Sequence, residues 1–204
     1  MPENKKTDRF SEITLYLIRH ATPDWYRKDI PYNVPPGPPL TEFGKSQAKK
    51  LGDVLTKYHI QRLYASPMER AFTTAQIAAQ MAHIPIEKRN ELLEWQPDES
   101  EEDLAGRMRP FLNECINAFQ TTGPVGLVSH GGPITVLLKM LNMDSEKLEN
   151  SCHSFDGNNP LPPAGVWKVS RLESTEDWDF NLLYTPDLDK IPEKNKKTNL
   201  NLGQ

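Results

Sequence analysis

The apolar run Ile13-Thr14-Leu15-Tyr16-Leu17-Ile18 is nearly continuous and partly β-branched, the pattern of a strand buried on both faces. It ends abruptly at Arg19-His20. The proline-rich stretch Pro31–Pro39 excludes both a helix and a central strand. Beyond it Thr41 is a suitable N-cap, and Phe43, Leu51, Val54, Leu55 and Tyr58 follow at helical spacing. Gln61–Ser66 reads as a second short strand. Pro67 suits the first turn of the next helix, alanine-rich and extending to about Met81. Ile84-Pro85-Ile86 reads as a short edge strand. Ser100 with Asp103 forms a capping-box pattern, opening a helix with Leu104, Met108, Phe111, Leu112, Cys115, Ile116 and Phe119 on one face. Pro110 inside that helix predicts a kink or a break. Val125–Ser129 is a third buried strand, followed by His130-Gly131-Gly132 and an apolar helix over Ile134–Leu141. Gly165–Arg171 and Phe180–Tyr184 complete the set as strands.

Strands alternating with helices predict an α/β fold, a three-layer sandwich whose central sheet is mostly parallel. In such sheets ligands gather at the carboxyl ends of the strands. His20, Ser66 and His130 each directly follow a strand, so three strands deliver polar groups to one edge. The expected organisation is a polar segment over residues 1–11, one domain over 12–186, and a Lys/Asn-rich, disordered tail over 187–204.

Composition narrows the function. With 37% apolar and 25% charged residues the chain has an ordinary soluble composition. A net charge of −4 argues against general nucleic-acid binding, which needs a basic surface, though a small basic pocket is compatible with it. No apolar run approaches the roughly 18 residues of a membrane span, and Met1–Ser11 carries no signal-peptide hydrophobic region. The expected location is therefore the cytoplasm. Two cysteines, Cys115 and Cys152, make no disulfide framework and suit a reducing compartment.

Four ordered blocks carry candidate chemistry: Arg19-His20-Ala21-Thr22, Leu40–Ala48 (LTxxGxxQA), Ser66–Ala75 (SPxxRAxxTA) and Ser129-His130-Gly131-Gly132. Their letters, order and context resemble the histidine phosphatase superfamily, also called phosphoglycerate mutase-like, over roughly Ile13–Leu141. The chemistry explains why these residue types would meet. A phosphoryl group in transfer spreads charge over its non-bridging oxygens, and catalysis is mainly positioning and neutralisation. Arg19 and Arg70 offer planar forks of donors to those oxygens, so the expected cofactor is none and no metal is required. His20 has to present a neutral nitrogen for in-line attack, and nearby arginines disfavour its charged form. The resemblance implies that His20 becomes the phosphohistidine and that His130 binds the transferring group.

The leaving oxygen needs a proton donor. The resemblance implies a glutamate between the second arginine and the second histidine, and in Asn90–Trp95 the best match is Glu94, with Glu91 and Asp24 as alternatives. Where relatives continue with a Gly-x-x-Glu-Gly-like stretch, this chain has Gln96-Pro97-Asp98-Glu99. Ala21 replaces a frequent glycine, and Tyr26 stands where relatives often carry a phosphate-binding asparagine.

Blander roles suit other features. His59, His83 and His153 lack companion blocks and metal-type spacing. Gly44-Lys45-Ser46 is not a phosphate loop, because Pro39 occupies the position of its first glycine. The proline run has the spacing of an adaptor ligand, but its place just after His20 favours a stiff wall at the mouth of the site. Mutases that resemble the chain carry a long insertion between the acid and the second histidine. Here that stretch holds little more than one helix, which predicts an open site, water as acceptor, and hydrolysis of phosphomonoesters, the alternatives being a phosphoglycerate-type mutase or a catalytically weak phosphate-binding or scaffold module. The expected partners are a phosphorylated small molecule or a phosphoprotein, with neither nucleic acid nor membrane.

Overall fold

The computed structural model describes residues 12–155 and 159–186. The expected end segments, 1–11 and 187–204, lie outside the described residues. Six strands, β1 (Glu12–Arg19), β2 (Arg62–Ala65), β3 (Ile86–Lys88), β4 (Val125–Ser129), β5 (Val166–Leu172) and β6 (Asp179–Tyr184), form one sheet in the order β3-β2-β4-β1-β5-β6. The β3-β2-β4-β1 part is parallel, and β5 and β6 join it antiparallel. The sheet is therefore mostly parallel, as the strand–helix alternation predicts.

The two faces of the sheet explain the continuous hydrophobicity of β1. Leu15 and Leu17 lie in a cluster with residues of α3 (Glu101–Thr122), α4 (Gly131–Met140) and α5 (Ser145–His153). Tyr16 and Ile18 point the other way, into a cluster with α1 (Glu42–Lys57) and α2 (Glu69–Ala82). A strand with period two must then be apolar at every position, and burying each such side chain contributes about 1.5–3 kcal/mol. The alanines of α2 let α1 approach closely: a Cβ on Gly52 would stand 2.4 Å from Met81 Cβ.

Several boundaries differ from those the sequence predicts. Pro110 does not split α3, which runs unbroken. The proline is exposed, and Gly106 four residues earlier has open space around it, so ring and unpaired carbonyl are accommodated at the surface. Pro67 precedes the helix rather than starting it, because Met68 is the N-cap of α2. The edge strand β3 begins after Pro85, whose carbonyl accepts from Leu63 N at 3.0 Å. Helix α4 starts at Gly131, ahead of the apolar run. Helix α5 escapes the pattern because only Leu148 of it is buried; Asp144 caps it by accepting from Lys147 N. Cys115 and Cys152 are not joined by a disulfide, and burial raises the Cys115 thiol to about 12.

Candidate active site

The carboxyl ends of β1, β2 and β4 bring the predicted blocks together. Arg19 ends β1 and His20 follows it; Ser66 follows β2; His130 follows β4 as the N-cap of α4. The His20 and His130 rings lie 5.2 Å apart between centroids, inclined at 56°. Arg70 enters from the first turn of α2. Exposure is 3% for Arg19, 1% for His20 and 0% for Arg70 and His130. This is more covered than the missing insertion suggests: Arg19 Nη1 donates to Leu161 O at 2.6 Å, and the proline-rich loop lies over Arg70. Arg70 Nη1 donates to Tyr32 O at 2.9 Å, its guanidinium stacks on the Tyr32 ring at 4.1 Å, and a Cβ on Gly37 would touch Nη1 at 2.7 Å.

The segment His20–Thr22 is fixed by its own backbone. His20 N donates to Ser129 O, and His20 O accepts from Ala164 N. Ala21 N donates to Thr74 Oγ1 at 3.0 Å. Ala21 O lies 2.8 Å from His20 Nδ1. A carbonyl only accepts, so Nδ1 carries a proton and the ring is held by it. Thr22 N and Oγ1 both donate to Gln47 Oε1, at 2.9 and 2.8 Å, and Thr22 O accepts from Thr41 N at 3.1 Å. Every backbone N–H and C=O from His20 to Thr22 thus has a partner, and Ala21 occupies its position without strain.

The second block acquires a physical meaning here. Thr41 caps α1 by accepting from Gly44 N at 2.9 Å. Gly44 must lack a side chain, since a Cβ would stand 2.1 Å from Thr22 O. Gln47, 2% exposed, holds Thr22 and was not singled out by sequence reasoning; its place in the LTxxGxxQA block was the available signal. Gln47→Leu is expected to leave two buried donors of Thr22 unpaired and to cost about 2 kcal/mol or more, measured by urea unfolding.

Of the three carboxylates considered, Glu94 is the one in contact with Arg70. Its Oε2 accepts from Arg70 Nη2 at 3.2 Å and lies 3.6 Å from His130 Nδ1, while Oε1 accepts from Trp95 N at 3.0 Å. Asp24 instead accepts from Tyr26 N in a local turn. Glu91 is tied through its carbonyl to Arg107. Tyr26 is exposed, so no buried contact replaces the asparagine of relatives. Among the described residues, no three His, Cys, Asp or Glu side chains group as metal ligands would, and no helix is long and apolar enough to cross a membrane.

With this geometry in place, comparison with known proteins is informative. Residues 15–98 match the family model described as histidine phosphatase superfamily, branch 1. That match covers less than half of the chain, and with the structural neighbours it supports a likeness to the histidine phosphatase superfamily. Phosphoserine phosphatase 1 of Hydrogenobacter thermophilus is 33% identical over 82 residues, a match spanning 40% of this chain and 38% of that one. An uncharacterised phosphatase of Bacillus subtilis, PhoE, is 26% identical over 172 residues, covering 68% of this chain and 84% of that one. Among solved structures, a mycobacterial glucosyl-3-phosphoglycerate phosphatase has a TM-score of 0.65 at 20% identity, covering 86% of this chain and 100% of that one. A phosphoglycerate mutase from Bacillus anthracis has a TM-score of 0.67 at 19% identity, covering 86% and 94%. At such identities the structural likeness shows the fold, which the chain shares with phosphatase and mutase alike.

The buried second histidine sets a pH dependence in this fold. Desolvation first, then the charges of Arg70, His20 and Arg19, hold His130 well below its ordinary value of 6.5. Above that value neither folded nor unfolded chain protonates this residue. As pH falls through it, the unfolded chain binds a proton that the native site refuses, so stability falls with pH. Unfolding free energy measured between about pH 6.5 and 5 is expected to decline less steeply in His130→Asn than in the wild-type chain.

Proposed function

We propose that the protein is a phosphatase that hydrolyses phosphomonoesters through a phosphohistidine on His20. The observation that carries this reading is the buried His20 ring, oriented by the Nδ1 contact to Ala21 O and gathered with Arg19, Arg70 and His130 at the strand ends. The ester phosphorus is attacked in line by Nε2; an N–P bond forms as the ester P–O bond breaks. Arg19 and Arg70 neutralise the non-bridging oxygens. Ser66 Oγ accepts from Met68 N and lies 2.8 Å from His130 Nε2. With its hydroxyl proton given to that nitrogen, His130 carries its own proton on Nδ1 and donates it to the phosphoryl group. Glu94 enters the step as the carboxylic acid and gives its proton to the departing oxygen; as a carboxylate it then takes one from the water that attacks the phosphohistidine, which restores the acid and releases inorganic phosphate.

Hydrolysis is preferred to mutase chemistry for a structural reason. Helix α3 (22 residues) and β4 (5 residues) take up most of the stretch between Glu94 and His130, so no large insertion lies there to add to the cover that the proline-rich loop gives Arg70. The names of the relatives, a phosphoserine phosphatase and a glucosyl-3-phosphoglycerate phosphatase, make phosphorylated small hydroxy compounds the first substrates to test; phosphopeptides follow. The cytoplasm remains the proposed location. The experiment is release of nitrophenol from 4-nitrophenyl phosphate with excess chelator present, followed by the metabolite and phosphopeptide panel. Turnover unaffected by chelator is expected. Interconversion of phosphoglycerates faster than phosphate release from them would make the chain a mutase instead.

A further inference from the structure

The segment that carries Glu94 has little structure of its own. After the single 3-10 turn at Asn90–Leu92, no helix or strand occurs until α3 begins at Glu101. A proton donor on such a segment must still be held to within about half an ångström to act on a leaving oxygen. Ser129 Oγ donates to Leu92 O at 2.8 Å and Gln96 Nε2 to Glu94 O at 2.7 Å, but one side chain gathers three carbonyls of the segment. Arg107, in the second turn of α3, donates Nη1 to Glu91 O at 2.5 Å and Nη2 to Leu93 O at 2.9 Å and Glu94 O at 3.3 Å. Its Nε and Nη2 also reach the two oxygens of Glu99, at 2.5 and 3.1 Å.

We propose that Arg107 and Glu99 are positioning residues for the proton transfer, a guanidinium–carboxylate clamp that fixes Glu94 against Arg70 and His130. The proposal rests on the reading of Glu94 as the acid. Glu99 closes the loop from its far side: Glu99 O accepts from Trp95 Nε1 at 2.6 Å, and Glu99 Oε2 accepts from Gln96 N at 3.2 Å. The clamp presses Glu94 and Trp95 onto the start of α4, where a Cβ on Gly132 would meet Trp95 at 3.2 Å and Glu94 Oε1 at 3.5 Å. The base of the clamp is rigid, since α3 opens with the reciprocal Ser100–Asp103 cap and buries Leu104 and Met108 on either side of Arg107. Only a planar fork can collect this set of acceptors, so lysine is no substitute. The Gln96–Glu99 departure from the family pattern thus supplies this chain with its own brace.

The test compares kcat/KM, which reports the phosphoryl transfer onto the enzyme, for an alkyl phosphomonoester and for 4-nitrophenyl phosphate. The alkyl leaving group needs an acid and nitrophenolate scarcely does. Arg107→Gln is expected to lose about tenfold or more on the alkyl ester and less than about threefold on the nitrophenyl ester, the same pattern as Glu94→Gln. Glu99→Gln is expected to show a smaller selective loss, and the double variant no more than Arg107→Gln alone, because the two act as one unit. Arg107→Lys is expected not to rescue. An equal loss on both esters, or none on either, while Glu94→Gln separates them, overturns the clamp. If Glu94→Gln fails to separate the esters, the acid assignment falls and takes the clamp with it. Should Arg107→Gln not fold, the Glu99→Gln comparison decides.

Discussion

His20→Ala is expected to release phosphate about 10⁴-fold or more slowly than the wild-type chain, with little change in its unfolding midpoint. The two halves of this expectation have separate causes. Without an imidazole there is no N–P bond to form, and water would have to attack the ester directly in a pocket arranged around a nitrogen. Binding and charge neutralisation by Arg19, Arg70 and His130 would persist, which leaves a residual rate above that in water. The fold is indifferent because the bonds that hold position 20 belong to its backbone, N to Ser129 O and O from Ala164 N. The cavity left is small and faces polar groups, so water can fill it. Steady-state kinetics with thermal unfolding tests both halves. Rapid quenching of the wild-type chain with labelled substrate should trap an acid-labile, alkali-stable phosphoprotein that the variant lacks. Activity in the variant within tenfold of wild type would remove His20 as nucleophile.

Most of the fold was legible because the buried strands and the faces of α1 and α3 follow simple periodicities. Strand β1 had to be apolar throughout, with Leu15 and Leu17 on one face of the sheet and Tyr16 and Ile18 on the other. The misses have local causes. Helix α5 buries only Leu148 and so produces no apolar stripe. At Pro110 the rule was applied without its context; an exposed proline four residues after an unhindered glycine can stay helical.

The site was legible to a different degree. Arg19, His20, Arg70 and His130 could be named because each sits at a strand end or first helical turn, where topology dictates neighbours. Glu94 was the weaker choice, being on an irregular segment whose position depends on contacts rather than periodicity. For the same reason Arg107 was invisible: it looks like any charged residue on an amphipathic helix, and its importance lies in carbonyls supplied by residues 91, 93 and 94. The cover over Arg70 was half read. The proline run does wall the mouth, but that Tyr32 would offer both a ring and a carbonyl to Arg70 could not be read from spacing.

Arg70→Gln is expected to lower kcat/KM for phosphomonoesters by about 10³-fold, or roughly 4 kcal/mol, and to destabilise the fold as well. The guanidinium is wholly buried, with Glu94, Tyr32 O and the Tyr32 ring around it. Removing it takes the fork from the phosphoryl oxygens and leaves the Glu94 carboxylate, only 12% exposed, beside no cation. Breaking such a pair from one side costs about 3–5 kcal/mol, which urea unfolding would register. Arg70→Lys separates charge from geometry. An ammonium restores the positive charge but cannot hold Tyr32 O, Glu94 and a phosphoryl oxygen at once, so stability should recover more than activity. If Arg70→Gln keeps kcat/KM within tenfold of wild type, then Arg70 is a structural brace for the Tyr32 loop and not part of the phosphoryl cradle. If lysine restores activity fully, the planar fork is dispensable and the neutralising charge alone accounts for the effect.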